Sequence, residues 1–240
     1  MLKESYFKTS QVLLDRVYKQ NEATIEKLGP LMAASVAAGG VIHTFGSGHS
    51  EIIAREMVGR AGGLVCVSAM LDTTAGFIEN LEGYGAKLAE KYDRNYGLKS
   101  GEFIIVISNS GKNCSPIEIA EYAKSKGLTV IALTSMSMTR EVETTSASGK
   151  KLFEVADYTL DNCGVMGDAI VQLPGTKKFA GPTSTLAGAT LINCLQMEIL
   201  ENLGTLNFEA PLLRSLNTEG AAEFNIELAR SYKGRLSKPL

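Results

Sequence analysis

The chain has 240 residues, 45% of them apolar and 21% charged, the proportions of an ordinary globular protein with a core of normal size. A formal net charge of −2 supplies no global field to draw in nucleic acid or an anionic membrane, so an anionic ligand would have to be held by local dipoles and a few side chains. Two histidines, and four cysteines without CxxC or metal spacing, argue against a metal site and a disulfide framework.

The segment Met1-Leu2-Lys3-Glu4 is mixed in character and unlike a signal peptide, so the expectation is a cytoplasmic protein. Residues 3–38 read as helix, with Phe7, Val12, Leu13, Val17, Ile25 and Leu28 at helical spacing and a break expected near Asn21 or Pro30. The most apolar window, "LMAASVAAGGVI" at 31–42, is too short to span a bilayer. The texture then changes to short apolar runs: "GGVIHTF" (39–45), "LVCVSA" (64–69), "FIIVIS" (103–108), "TVIALTS" (129–135) and a weaker "DYTLDN" (157–162). Helical patterns at 50–61, in parts of 73–96 and at 115–126 separate them. Such alternation predicts a parallel sheet covered on both faces. Farther on, "TTSASGKK" (144–151) reads as a surface loop, "AIVQLPG" (169–175) as a short strand, and 219–233 as helix. Residues 183–203 read as one long helix, apolar nearly all round up to Asn193, buried within the fold or against a second subunit. The expected organisation is one domain, 1–240, with N-terminal helices (1–38), an α/β core (39–204) and a C-terminal helical segment (205–240).

Ligands of a doubly wound sheet lie beyond the carboxyl ends of its strands. Two such places are rich in small polar residues: "FGSGHSE" (45–51) and "SNSGKNCSPIE" (108–118). Glycine lets backbone approach a ligand, and a helix N-terminus offers unpaired N–H groups with positive partial charge. Ser115-Pro116-Ile117-Glu118 reads as a capping box that marks a helix start. Together the loops suit a tetrahedral anion, although a Gly/Ser-rich turn after a strand is often only a turn. Ser47, Gly48 and Ser50 of the first loop, and Ser108, Asn109, Ser110, Gly111, Lys112 and Asn113 of the second, are the candidate binding residues. "GSGHSE" has Glu51 where a dinucleotide fingerprint needs its third glycine, and "SNSGKNCS" lacks the Ser/Thr of a nucleotide P-loop.

Gly46-Ser47-Gly48-His49-Ser50, together with Ser108-x-Ser110-Gly111-x-Asn113, resembles the sugar isomerase (SIS) domain. "RAGG" (60–63), "GPTST-AGA" (181–189) and "NTEGAAEFN" (217–225) extend the resemblance to the small single-domain, phosphoheptose-isomerase-like subgroup. The resemblance implies a three-layer αβα sandwich with a five-stranded parallel, flavodoxin-like sheet and the N-terminal helices packed outside. It also implies a homodimer or homotetramer with sites near subunit boundaries. The ligand it implies is a phosphorylated sugar, with phosphate on Ser108, Ser110 and Asn113 by side chain and on Gly111 and Lys112 by backbone, and Ser50 toward the sugar. Asn113 stands where the family usually has threonine, and Phe224 where it would have a histidine before Asn225.

Isomerisation of such a sugar needs a base that moves a proton between adjacent carbons. Glu56, on the helix that follows the first loop, is the nearest match to the acid/base residues of phosphoheptose isomerases; its plain alternative is a surface ion pair with Arg60 or Arg55. His49 can shuttle a proton or simply bond backbone. Glu198, on the long helix, can be a base or face solvent. His43 reads as a core residue. The expected function is an aldose–ketose isomerase without metal or organic cofactor. Alternatives are a non-catalytic phosphosugar sensor and a lyase or etherase on an amino-sugar phosphate. No basic helix-turn-helix region accompanies the domain.

Overall fold

A computed structural model describes residues 1–237. Five strands, β1 (Ile42–Gly46), β2 (Val67–Met70), β3 (Phe103–Ile107), β4 (Thr129–Thr134) and β5 (Tyr158–Asp161), form one all-parallel sheet in the order β2-β1-β3-β4-β5. The expected α/β architecture and all five strand positions are present. β3 shows why: all five of its residues are buried, and they alternate between two cores. Phe103, Ile105 and Ile107 pack with α1 (Leu2–Ala37), α2 (Ser50–Glu56) and α7 (Ser184–Thr205). Ile104 and Val106 pack with α3 (Tyr84–Tyr96), α4 (Cys114–Ser125) and α6 (Leu152–Val155). Helices thus cover both faces and make the sandwich three layers deep.

Several details differ from the sequence reading. The N-terminal segment is one continuous helix, α1, with no break at Asn21 or Pro30. Asn21 is buried and spans two elements: its Nδ2 donates to Val17 O (2.6 Å) and Asp161 O (2.8 Å), and its Oδ1 accepts from Asp161 N (2.8 Å). Pro30 lies on the exposed side, and packing of α1 along α7 outweighs the backbone bond it lacks. Phe7 and Val12, expected on the apolar stripe, face outward. The helix expected over 50–61 ends at Glu56, and residues 62–65 run beside 211–213 through backbone bonds instead. Residues 171–172 form β6 (Val171–Gln172), which pairs antiparallel with β7 (Phe179–Ala180). The short helices α5 (Met136–Glu141) and α6 flank the 144–151 loop and carried no clear sequence signal. The last helix, α8 (Ala221–Arg230), is shorter than the expected 219–233. Among the described residues, no helix is long and apolar enough to cross a membrane.

Candidate functional site

The strand order reverses between β1 and β3, so the loops leaving their carboxyl ends are neighbours across a crevice. The first loop turns sharply from β1 into α2. A Cβ at Gly46 would collide with the Ser50 carbonyl and come within 2.9 Å of Glu51 N, so only glycine lets the helix start this close to the strand. The second loop turns at Gly111, whose φ is +62°. A side chain there would be strained, and its Cβ would lie 2.8 Å from Thr139 Oγ1. Inside this loop, Ser108 Oγ accepts from Gly111 N at 3.2 Å.

The expected capping box does not form. Helix α4 starts at Cys114, with Asn113 rather than Ser115 at the cap position. Glu118 reaches away from the cap and accepts from Gly83 N (2.7 Å) and Ala86 N (3.2 Å) at the start of α3. Ser115 Oγ is buried without a partner among the described residues.

The Asn113 amide is drawn to a residue the sequence did not single out, Glu79. Its Oε1 accepts from Asn113 Nδ2 at 2.6 Å, and its Oε2 accepts from the Ser47 hydroxyl. Its carbonyl also accepts from Ser115 N at 2.8 Å. Glu79 therefore bridges the two loops from a segment, 72–83, that crosses over them. Asp72 anchors the start of that segment, accepting from Thr74 N, Thr74 Oγ1, Gly76 N and Tyr84 Oη. Burial alone would raise the Asp72 carboxyl, but these donors outweigh it and hold the group below the ordinary carboxylate range.

A cavity of about 190 Å³ opens beside the crevice, lined by His49, Ser50, Ile53, Ile107, Asn109, Asn162, Asp168 and Ser184. Asn109 Oδ1 accepts from Asn162 Nδ2 at 2.8 Å, which ties the second loop to the end of β5. Asp168 caps α7: its Oδ1 accepts from Thr183 N and Ser184 N, and its Oδ2 from Ser184 Oγ at 2.5 Å.

Of the candidate residues, His49, Ser50 and Asn109 line the cavity. Ser47 and Asn113 are engaged by Glu79. The side chains of Ser110 and Lys112 make no hydrogen bond among the described residues, in keeping with open donors. Gly48 lies under the 72–83 segment, with Ala75 and Gly76 against it. Glu56 and Glu198 are not brought to the cavity. Glu56 accepts from Arg60, the pairing its i,i+4 spacing allows, and from Asn193 Nδ2 at 3.3 Å. Glu198 accepts from Asn202 Nδ2 at 3.0 Å, where α7 crosses Gly29 of α1. At the position of the missing histidine, the Phe224 ring lies 3.6 Å from the Arg214 guanidinium carbon, and Asn225 clamps the Arg214 backbone, so this segment holds the C-terminal helix in place. Glu79, Asn162 and Asp168 were missed. Asn162 directly follows β5, whereas Glu79 and Asp168 lie in irregular stretches without a local signal. Among the described residues, no three His, Cys, Asp or Glu side chains come together as a metal site.

Comparison with known proteins points the same way. The SIS domain profile matches residues 5–135, a span that contains both loops. The UPF0309 protein of Caldanaerobacter subterraneus subsp. tengcongensis is 37% identical over 237 residues, covering 92% of this chain and 94% of the relative. Among solved structures, a phosphoheptose isomerase from Francisella tularensis superposes with a TM-score of 0.58 at 19% identity, covering 82% of this chain and 95% of that one. The Vibrio vulnificus NanR protein complexed with ManNAc-6P gives 0.53 at 13% identity, covering 99% of this chain and 71% of that one.

Proposed function

The chain belongs to the SIS domain family, and from that premise we propose that it binds a phosphorylated sugar and interconverts its aldose and ketose forms. One observation carries the reading: two donor-rich loops stand at neighbouring strand ends, with the Ser110 hydroxyl and the Lys112 ammonium free of partners among the described residues. The second loop holds the phosphate through Ser108, Ser110, Asn113 and the backbone of Gly111 and Lys112. The sugar extends toward Ser50 and the cavity. A base takes the proton from C2 of the aldose, leaving an enediolate. The proton returns at C1 while the hydroxyl proton moves from O2 to O1, giving the ketose.

His49 is the candidate base placed at the cavity. Glu56 and Glu198 remain candidates that would have to leave their present partners. The protein acts in the cytoplasm as a homodimer or homotetramer. The exposed Phe7 and Val12 of α1 and Leu186 and Met197 of α7 suit an interface between copies.

A second reading, phosphosugar sensing without turnover, is favoured by the state of the carboxylates. Asp168, the carboxylate lining the cavity, is committed to capping α7, and Glu56 and Glu198 are paired elsewhere. A structural neighbour, the NanR protein, is itself recorded with ManNAc-6P bound. The two readings separate in a thermal-shift screen of phosphosugars followed by proton NMR of each hit in D2O. Exchange of the C1 or C2 proton establishes the isomerase. A ligand that stabilises the protein without exchange favours the sensor.

A further inference from the structure

Some donors of the two loops are already taken. The carboxylate of Glu79 takes the Ser47 hydroxyl of the first loop and the Asn113 amide of the second, and the Glu79 carbonyl takes Ser115 N–H in the first turn of α4. A negative charge already occupies the place where the loops and the helix N-terminus jointly favour one.

The segment that carries this carboxylate is held firmly at both ends and loosely between. Asp72 anchors one end, and Glu118 anchors the other through Gly83 N and Ala86 N. Gly76 packs backbone to backbone on Gly48. Between these anchors the apolar side chains find no core: Phe77 is 92% exposed and Leu81 is 59% exposed. The Asn80 side chain accepts from Thr145 Oγ1 at 2.7 Å. Displacing the Glu79 side chain would therefore disturb hydrogen bonds but no buried apolar packing.

We propose that Glu79 is an internal competitor that sets the affinity of the anion site, a carboxylate that an incoming phosphate must displace from Ser47 and Asn113. This rests on the phosphosugar-binding reading and deepens it. A phosphate dianion brings three acceptor oxygens and up to twice the charge of the carboxylate it replaces. A singly charged carboxylate ligand brings no such advantage, so Glu79 also favours phosphorylated ligands over sugar acids. Because part of the ligand's interaction is spent on displacement, the apparent affinity is lower than the loops alone would give.

The test is calorimetric titration of the full chain with inorganic phosphate at pH 8 and fixed ionic strength. Wild type is compared with Glu79→Gln, which keeps the shape and removes the charge, and with Glu79→Ala, which removes the side chain. Melting curves of all three confirm folding. Glu79→Gln and Glu79→Ala are both expected to bind phosphate at least fivefold more tightly than wild type. Equal or weaker binding in both variants overturns the competitor role, weaker binding making Glu79 a residue that positions the loops. If wild type binds phosphate, the anion site stands whatever the variants do. If none of the three proteins binds phosphate, the anion site and the competitor fall together.

Discussion

Two polar clusters meet the central strands, and they are built to opposite rules. The first surrounds His43 and Glu102, both buried to within 3% of full burial. Glu102 accepts from Val41 N, Lys99 N and Arg235 Nη2, and lies 3.1 Å from His43 Nε2. On the other side of the imidazole, Tyr92 Oη stands 3.0 Å from His43 Nδ1 and 2.6 Å from Ser68 Oγ, which in turn accepts from Ser237 N. Every side chain in this cluster is partnered, and it clips the C-terminal segment to the sheet. The second cluster, at the carboxyl ends of β1 and β3, leaves Asn113 Oδ1, Ser115 Oγ and Thr139 Oγ1 buried without partners among the described residues. A closed network specifies a fold, whereas the second cluster keeps polar groups unmet at the turn of the second loop. Substitutions in the first cluster should therefore act on stability and leave binding alone, and substitutions in the second should act first on binding.

The largest effect belongs to the open cluster. If His49 is the base, His49→Gln should lower turnover of a confirmed substrate by about 10²–10⁴, or roughly 3–5 kcal/mol in the barrier, with melting unchanged. Glu56→Gln should lower it much less, because the Glu56 carboxylate is held by Arg60 and Asn193. Steady-state rates of the two variants decide it, and the reverse order hands the proton transfer to Glu56.

Next comes the closed cluster. Arg235→Met leaves the Glu102 carboxylate buried without its cation, a loss on the order of 3 kcal/mol. Melting should fall well below wild type while phosphosugar affinity stays the same. A matching loss of affinity would show that the two clusters are coupled.

Acid should reach the closed cluster in two stages. Burial lowers the pKa of His43 from 6.5 more than Glu102 raises it. Burial would raise the Glu102 carboxyl, but His43, Arg235 and two backbone donors bring it down from 4.5 to about 2. In both cases the unfolded chain binds its proton first as the pH falls, so both groups lower stability in acid. The His43 contribution is lost from about pH 6.5 downward, and the Glu102 contribution from about 4.5 toward 2. Melting temperatures across pH 7 to 3 should show both stages, and His43→Gln should remove the upper one and shrink the lower one, because His43 is among the groups that bring Glu102 down.

The sheet was legible because its strands are nearly continuous apolar runs, and such runs can be buried on both faces only in a covered parallel sheet. The loops were legible because small polar residues and glycine recur at two strand ends. Signals that depended on a tertiary partner failed. Asn21 looked like a helix break, but Asp161, 140 residues away, turns it into an anchor. Ser115 and Glu118 spelled a capping box, but the start of α3 captured the glutamate. Glu79 lies 32 residues from Ser47 and 34 from Asn113, and no local pattern reports such a meeting.

The contrast between closed and open groups recurs within a single loop. Ser108 and Ser110 are equivalent in the motif but not in the structure. Ser108 Oγ accepts from Gly111 N and so supports the turn itself, whereas the Ser110 side chain has no partner among the described residues. Ser110→Ala should therefore remove a hydrogen bond to phosphate and nothing else, weakening binding by about 1.5–3 kcal/mol, the scale of a bond to a charged group. Its melting temperature should match wild type. Ser108→Ala should weaken binding by at least as much and also lower the melting temperature, since Gly111 N then loses its partner in a turn already at positive φ. Calorimetry and melting of the two variants give four numbers. Unchanged affinity in both removes the phosphate from this loop, and a melting loss in Ser110→Ala would mean that its hydroxyl, too, belongs to the fold.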